Sequence, residues 1–452
     1  MHSPLLTDLY QLTMGYGYWK CGLAEREAVF HLFYRRAPFG GDAAIVAGTG
    51  PAADFLNELK FDRDELQFLA GLTGADGAPL FDAGYLDYLR DLEWDLEVDV
   101  IPEGEISLPH EPLMRIKGPL IQCQLVETAL LNIVNFQTLI ATQAARICAA
   151  AGGDDVFEFG LRRAQGPDGG LSASRAAYIG GCAASSNVLA GMKFGIPVKG
   201  THAHSWVMSF DSEREAFDRY AEAMPNNAVF LVDTYDTLKG VQNAIESGRR
   251  LREKGHDLLA IRLDSGDLAG LSIAARELLD EAGFEETKIV ASNDLDEESI
   301  VELKKKGARI DVWGIGTRLV TASVQPALGG VYKLGAIRDA GGAWKYRIKL
   351  SNDLIKVSNP GILQIERTRD ADGHVVGDRL CNEADGIAEG ERLLVPAVRK
   401  GRRVLADEPV AVIRDRAIAG WRGLAKRIPV LEIDPALEQT KRELLVANGF
   451  KA

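Results

Sequence analysis

Residues 258–266 read LLAIRLDSG, and the arginine in the middle of that apolar run decides how the chain is read. A short run of leucine and isoleucine closed by a glycine turn reads as a strand covered on both faces. Period-two alternation puts Ala260, Arg262 and Asp264 on one face, against Ile261 and Leu263 on the other. A mid-strand guanidinium is costly unless it pairs with a carboxylate or faces a ligand-filled interior. Two readings therefore stand for Arg262: a structural pair with a carboxylate, or a charge facing a lumen.

Five neighbouring runs have the same character: VFEFG (156–160), IPVKGT (196–201), AVFLVDT (228–234), KIVASND (288–294) and IDVWGIGT (310–317). Each is short and apolar. The segments between them read as helices, four of which end at Gly195, Gly255, Gly283 and Gly307, where glycine takes the left-handed cap conformation. Repeated βα units predict a parallel sheet, either closed into a barrel or doubly wound. Polar residues follow every run: Arg162 and Arg163, Thr201 to Ser205, Asp233 and Asp236, Asp264 and Asp267, Asn293 and Asp294, Gly316 and Thr317. A barrel builds its site from all its strand ends, whereas a doubly wound sheet concentrates it at one switch point. The pattern predicts an α/β fold with an irregular, incomplete βα barrel, and it favours the lumen reading for Arg262.

The flanks carry strand-like pieces at both chain ends: AVFHLFYRR, AAIVAG and LEVDVIP before the barrel, and VYKLGAI, AWKYRIKL and RLLVPAV after it. They predict one discontinuous second α/β domain from residues 1–125 and 335–400 beside a barrel domain at 126–334. Residues 401–452 read as a C-terminal helical extension ending at Gly449. The 452 residues, 46% of them hydrophobic, suffice for two or three cored domains. A net charge of −13 argues against nucleic acid or an anionic membrane as partner. Five scattered cysteines without C-x-x-C spacing indicate neither zinc nor a disulfide framework. With no signal-like N-terminus and no apolar run of about 18 residues, a cytoplasmic protein is expected.

The chemistry concentrates in EFGLRRAQGPDGG (158–170) and GTHAHSW (200–206). Arg162 and Arg163 offer planar forks for carboxylate or phosphate, or else form an exposed loop. GIGT (314–317) is either a tight turn or a backbone cradle for a phosphate monoester. His202 and His204 can act as bases, ligands or phosphoryl acceptors, or sit hydrogen-bonded in a loop. Asp233, Asp236, Asp264 and Asp294 offer oxygen ligands for Mg²⁺, though helix capping is the default for aspartate after a strand. Tyr10, Tyr16, Tyr18 and Trp19 form an aromatic cluster suited to core packing or an interface.

Taken in order, LLTDLYQLTM (5–14), EFGLRRAQGPDGG, GGCAASSNVLAG (180–191), GTHAHSW, RLDSGD (262–267) and GIGTRLVT (314–321) resemble the nicotinate phosphoribosyltransferase family. The resemblance implies transfer of a phosphoribosyl group from phosphoribosyl diphosphate to nicotinate, coupled to ATP hydrolysis with Mg²⁺. It also implies an irregular α/β barrel beside an α/β sandwich domain built from both chain ends, and a homodimer with sites at the interface. By motif, His204 is the phosphorylated histidine, accompanied by the catalytic carboxylates Asp264 and Asp294. Tyr10, Arg162, Thr201 and Arg262 bind nicotinate. Ser205, Gly316 and Thr317 bind phosphoribosyl diphosphate.

The alternatives differ in particular residues. An amide-specific nicotinamide phosphoribosyltransferase carries aspartate directly after the G-T pair, where this chain has His202. A quinolinate enzyme is shorter and lacks the A-H-S histidine. A non-catalytic metabolite sensor needs no phosphorylatable histidine, and a barrel aldolase would depend on Lys199.

Overall fold

The computed structural model describes residues 3–386 and 390–450. The chain divides into two compact units, one of residues 140–326 with 409–414, the other of 1–139, 327–408 and 415–452.

The first unit is built on a sheet of six strands: β1 Asp155–Glu158, β2 Ala184–Ser185, β3 Val229–Leu231, β4 Ala260–Leu263, β5 Lys288–Asn293 and β6 Val312–Ile315. Their spatial order is β2-β1-β6-β5-β4-β3, and every pairing is parallel. Five of the six expected runs are strands. The sixth, IPVKGT, is not; Val198 makes only an isolated bridge to Ser185. Pro197 has no N–H to give to a ladder, and residues 197–200 are exposed. The segment ties the two sheet edges together instead. At β2, the Ser185 N–H donates to the Pro197 carbonyl (3.0 Å) and the Lys199 N–H to the Ser185 carbonyl (3.1 Å). At β3, the Thr201 hydroxyl donates to the Val229 carbonyl, and the Leu231 N–H to His202 Nε2 (3.3 Å). An irregular extended segment thus takes the place that a strand pair holds in a regular barrel.

Register explains the interior. Val229, Ala260, Val290 and Val312, with Phe157 against them, pack as one apolar cluster. Two residues further along the strands come Arg262, Ser292 and Gly314, with Phe159 just past β1. A Cβ on Gly314 would stand 2.8 Å from the Phe159 ring, so glycine here leaves room for an aromatic. The opposite face of the strands carries Phe230, Val232, Ile261, Leu263, Ile289 and Ala291, all buried. The helix Thr237–Glu253 comes so close that a Cβ on Gly240 would lie 2.0 Å from the Val232 carbonyl oxygen. Gly195, Gly255, Gly283 and Gly307 all have positive φ, as their reading as helix stops requires.

In the second unit, strands from both chain ends share one antiparallel seven-stranded sheet. Val331–Arg338 pairs with Glu27–Phe33, which pairs with Met114–Pro119, then Glu97–Val100 and Val395–Arg399. A smaller sheet holds Leu363–Arg369, Val375–Asn382 and Val430–Ile433. That last strand corrects the reading of residues 401–452 as wholly helical. Between the helices Val410–Lys426 and Pro435–Ala447, Val430–Ile433 pairs in parallel with Val375–Asn382, because VLEI is a β-branched run set off by proline. Arg367 is fully buried and paired with Asp378 (2.6 Å) and Glu105 (2.9 Å), so its charge is compensated inside the unit.

Gly240→Ala is expected to destabilise the protein by about 1–3 kcal/mol, because the added methyl meets backbone that cannot swing aside. Denaturant unfolding checks this, and an unchanged midpoint would contradict the close helix–sheet approach.

Candidate functional site

Phe159, Leu161 and Arg162 follow β1, Ser186 follows β2, Gly200 and Thr201 belong to the bridging segment, and Arg262 rises from β4. Together they line a cavity of ≈ 320 Å³. Leu161–Arg163 is a turn of 3-10 helix that leaves Arg162 exposed, with no side-chain partner among the described residues. Arg163 is exposed too but does not line the cavity. Arg262 is the reverse of Arg162. Its Nε donates to Ser292 Oγ (2.7 Å) and its Nη2 to Asp264 Oδ1 (2.8 Å), and its guanidinium lies 5.8 Å from the centre of the Phe159 ring. Both readings of Arg262 hold at once: it is paired with a carboxylate, and it faces the cavity.

Asp264 connects this wall to His204. Its Oδ2 lies 3.8 Å from His204 Nε2, and the other imidazole nitrogen, Nδ1, is 3.1 Å from Thr234 Oγ1. His204 opens the short helix His204–Met208 and is half-exposed. Burial pushes the Asp264 carboxyl up, but the Ser292 hydrogen bond and the Arg262 charge outweigh it and leave the group below its ordinary value. A carboxylate anion therefore stands beside His204 at neutral pH. The Asp264 N–H (2.9 Å) and the Ser265 hydroxyl (2.6 Å) both donate to Asp233 Oδ2, while Asp233 Oδ1 is buried without a hydrogen-bond partner.

Other expected residues fall elsewhere. Asp294 is exposed and ion-paired to Arg318 (2.9 Å), not to His204. Asp236 caps the helix Thr237–Glu253 by accepting from the Lys239 N–H (2.8 Å), the default role for aspartate after a strand. Gly316 and Thr317 open the single turn Thr317–Val320 after β6. Ser205 is exposed on the helix that begins at His204. The Thr201 hydroxyl is spent on the bridge to β3. Tyr10 lies in the other unit, exposed on the helix Leu9–Lys20. His202, weighed as a site residue, is buried against Phe217, Tyr220 and Phe230, with Nε2 accepting the Leu231 N–H. It is a packing histidine.

Sequence reading passed over Glu158, Phe159, Ser186 and Ser292, whose apolar or small neighbours mask them. It also passed over a cationic group in the other unit. Burial lowers Lys333, as do Arg35 and Lys349; burial likewise lowers His110, as do Lys441 and Arg35. Arg35 Nε is buried without a hydrogen-bond partner.

Comparison with known proteins agrees with the residues. The model of the nicotinate phosphoribosyltransferase N-terminal domain matches residues 5–135, and that of the nicotinate phosphoribosyltransferase family matches 155–339. The chain belongs to the nicotinate phosphoribosyltransferase family. It is 46% identical to a nicotinate phosphoribosyltransferase of Bacillus subtilis over 391 residues, which span 86% of this chain and 78% of the relative. It is 41% identical to one of Dictyostelium discoideum over 455 residues, covering 90% and 75%. The crystal structure of human nicotinic acid phosphoribosyltransferase superposes with a TM-score of 0.84 at 32% identity, covering 97% of this chain and 99% of that one. No described helix is long and apolar enough to cross a membrane.

His202 gives a pH test. Burial, aided by the Arg262 charge and opposed by a bond to the Ala203 carbonyl, holds its imidazole at about 4. An unfolded histidine titrates near 6.5, so the unfolded chain takes up the proton first as pH falls. The stabilisation is whole above pH 6.5 and is lost between about 6.5 and 4, costing about 2 kcal/mol by pH 5. In His202→Gln the loss of unfolding free energy from pH 7 to 5 is expected to shrink by about that amount. An identical pH slope in both proteins would contradict the buried neutral imidazole.

Proposed function

We propose that this chain transfers the phosphoribosyl group of phosphoribosyl diphosphate to nicotinate, giving nicotinate mononucleotide and diphosphate, a salvage step toward NAD. The observation that carries it is the cavity that joins an unpaired Arg162 to the Phe159 ring, with the His204–Asp264 pair connected through Arg262. A planar pyridine acid fits those parts. Phe159 offers an aromatic face, and the Arg162 fork offers two donors to the carboxylate. The pyridine nitrogen attacks C1 of the ribose as the C1–O bond to diphosphate breaks, so catalysis is positioning and neutralisation of the leaving charge.

For Mg²⁺ the donor set fits: Asp264 is anionic, and Asp233 keeps a buried oxygen without a protein donor. These two carboxylates would hold the ion, which when bound neutralises diphosphate charge. Asp236 and Asp294 are occupied by a helix cap and by Arg318. ATP enters as co-substrate. His204 is its phosphoryl acceptor in this reading: an N–P bond forms as ADP leaves, and water later cleaves it to phosphate. Thr234 and Asp264 orient the imidazole for that step. Ser205, Gly316 and Thr317, at the same strand ends, are assigned to the ribose phosphate.

We take the working form to be a homodimer in which Tyr10 serves the partner's site; its exposure on Leu9–Lys20 supports this. A cytoplasmic location accords with the five free cysteines. Nicotinamide is the second reading, and an unpaired arginine in the cavity favours the acid over the amide.

Incubation with phosphoribosyl diphosphate, Mg²⁺ and nicotinate is expected to yield nicotinate mononucleotide, faster with ATP and far slower with nicotinamide. His204→Ala should abolish the ATP stimulation and the acid-labile protein phosphate while leaving the fold intact. Equal turnover of the amide would overturn the substrate, and full ATP stimulation in His204→Ala would overturn its role.

A further inference from the structure

Glu158 is fully buried at the end of β1, directly before the aromatic and the arginine that line the cavity. No cation pairs with it among the described residues; neutral donors hold it. One oxygen accepts the Gly160 N–H; the other accepts the hydroxyls of Ser174 (2.8 Å) and Ser185 (2.6 Å). Both hydroxyls are themselves acceptors from Asn187. Its side-chain amide donates to Ser174 Oγ (3.1 Å) and its backbone N–H to Ser185 Oγ (2.9 Å). Asn187 thus gives to both serines; Ser185 gives to Glu158, and Ser174 lies within reach of both Glu158 and the Gly170 carbonyl (3.0 Å).

This lattice joins two segments that carry cavity walls and the helix between them. Gly160 lies between Phe159 and Arg162, Ser185 and Asn187 flank Ser186, and Ser174 anchors the helix Gly166–Ile179 that follows the Arg162 turn. A Cβ on Gly160 would meet Val320 at 2.3 Å, so the turn has no slack on its other side.

We propose that Glu158 is a positioning residue for nicotinate: its carboxylate sets the distance between the Phe159–Arg162 turn and Ser186, and with it the fit of the pyridine acid. This rests on the proposed transfer reaction. Glutamine at 158 cannot preserve the lattice. Its oxygen must take the Gly160 N–H, which leaves its NH₂ facing two hydroxyls that need an acceptor for their own protons. Ser174 can turn its proton to the Gly170 carbonyl (3.0 Å), but among the described residues Glu158 is the only acceptor of the Ser185 hydroxyl.

The test is steady-state kinetics on Glu158→Gln in the full chain, varying nicotinate and phosphoribosyl diphosphate separately. The nicotinate KM is expected to rise on the order of 10-fold or more, with the phosphoribosyl diphosphate KM within about twofold and the thermal midpoint still a single transition. Where Glu158→Gln does not fold, Ser185→Ala removes one donor from the same oxygen and should raise the nicotinate KM in the same selective way. Equal changes in both KM values, or a loss of kcat that tracks folded fraction alone, would overturn the inference. Wild-type protein inactive with nicotinate would sink the reaction assignment instead, so the two failures are told apart.

Discussion

A guanidinium at the middle of a parallel strand has to be met from its own side of the sheet, and Arg262 sets that requirement for the whole catalytic unit. Parallel register puts Val290 level with it on β5, and its donors reach forward to Ser292 and Asp264, each two residues further along its own strand. Gly314 on β6 has no side chain, which admits Phe159 over the same layer. Below this polar layer the interior is valine, alanine and phenylalanine. The change from apolar to polar along the strands is thus where the cavity begins. Once Asp264 is held by Arg262 and Ser292, its second oxygen faces His204, so the demand of one buried charge also shapes the reactive pair.

The two arginines divide the work by how far each is satisfied. Arg262 spends two donor nitrogens on the protein, and a rigid, preorganised charge of this kind favours an anion without reorganising. Arg162 spends none, so its fork is available to a ligand. A sheet whose edges are bridged by segment 197–202 keeps the cavity between them in shape without a closing strand.

Much of this was legible in the sequence, for reasons particular to each residue. LLAIRLDSG, KIVASND and IDVWGIGT are long enough apolar runs, with polar ends, to show strands and rim together. IPVKGT misled because its apolar letters hide a proline and an exposed edge position. The true neighbour, Ala184–Ser185, is two residues long and has no periodicity to detect. Arg162, Arg262, Asp264 and His204 were visible as costly polar residues at strand ends. Asp294 looked equivalent, but its pairing with Arg318 depends on a turn from another strand end. His202 could not be told from His204 by spacing; burial among aromatics separates them. Glu158 escaped notice because a carboxylate inside VFEFG reads as ordinary strand alternation, and two of its three donors, Ser174 and Ser185, come from later segments of the chain.

The central claim is that an unpaired Arg162 beside Phe159 selects a pyridine acid. Calorimetric titration of nicotinate and nicotinamide into wild-type protein and Arg162→Ala, with phosphoribosyl diphosphate and Mg²⁺ absent, tests it most directly. The account predicts that wild type prefers the acid and that Arg162→Ala loses on the order of 10-fold or more in affinity for the acid, with little change for the amide. Equal affinity of wild type for both ligands, or unchanged acid binding in Arg162→Ala, would contradict it.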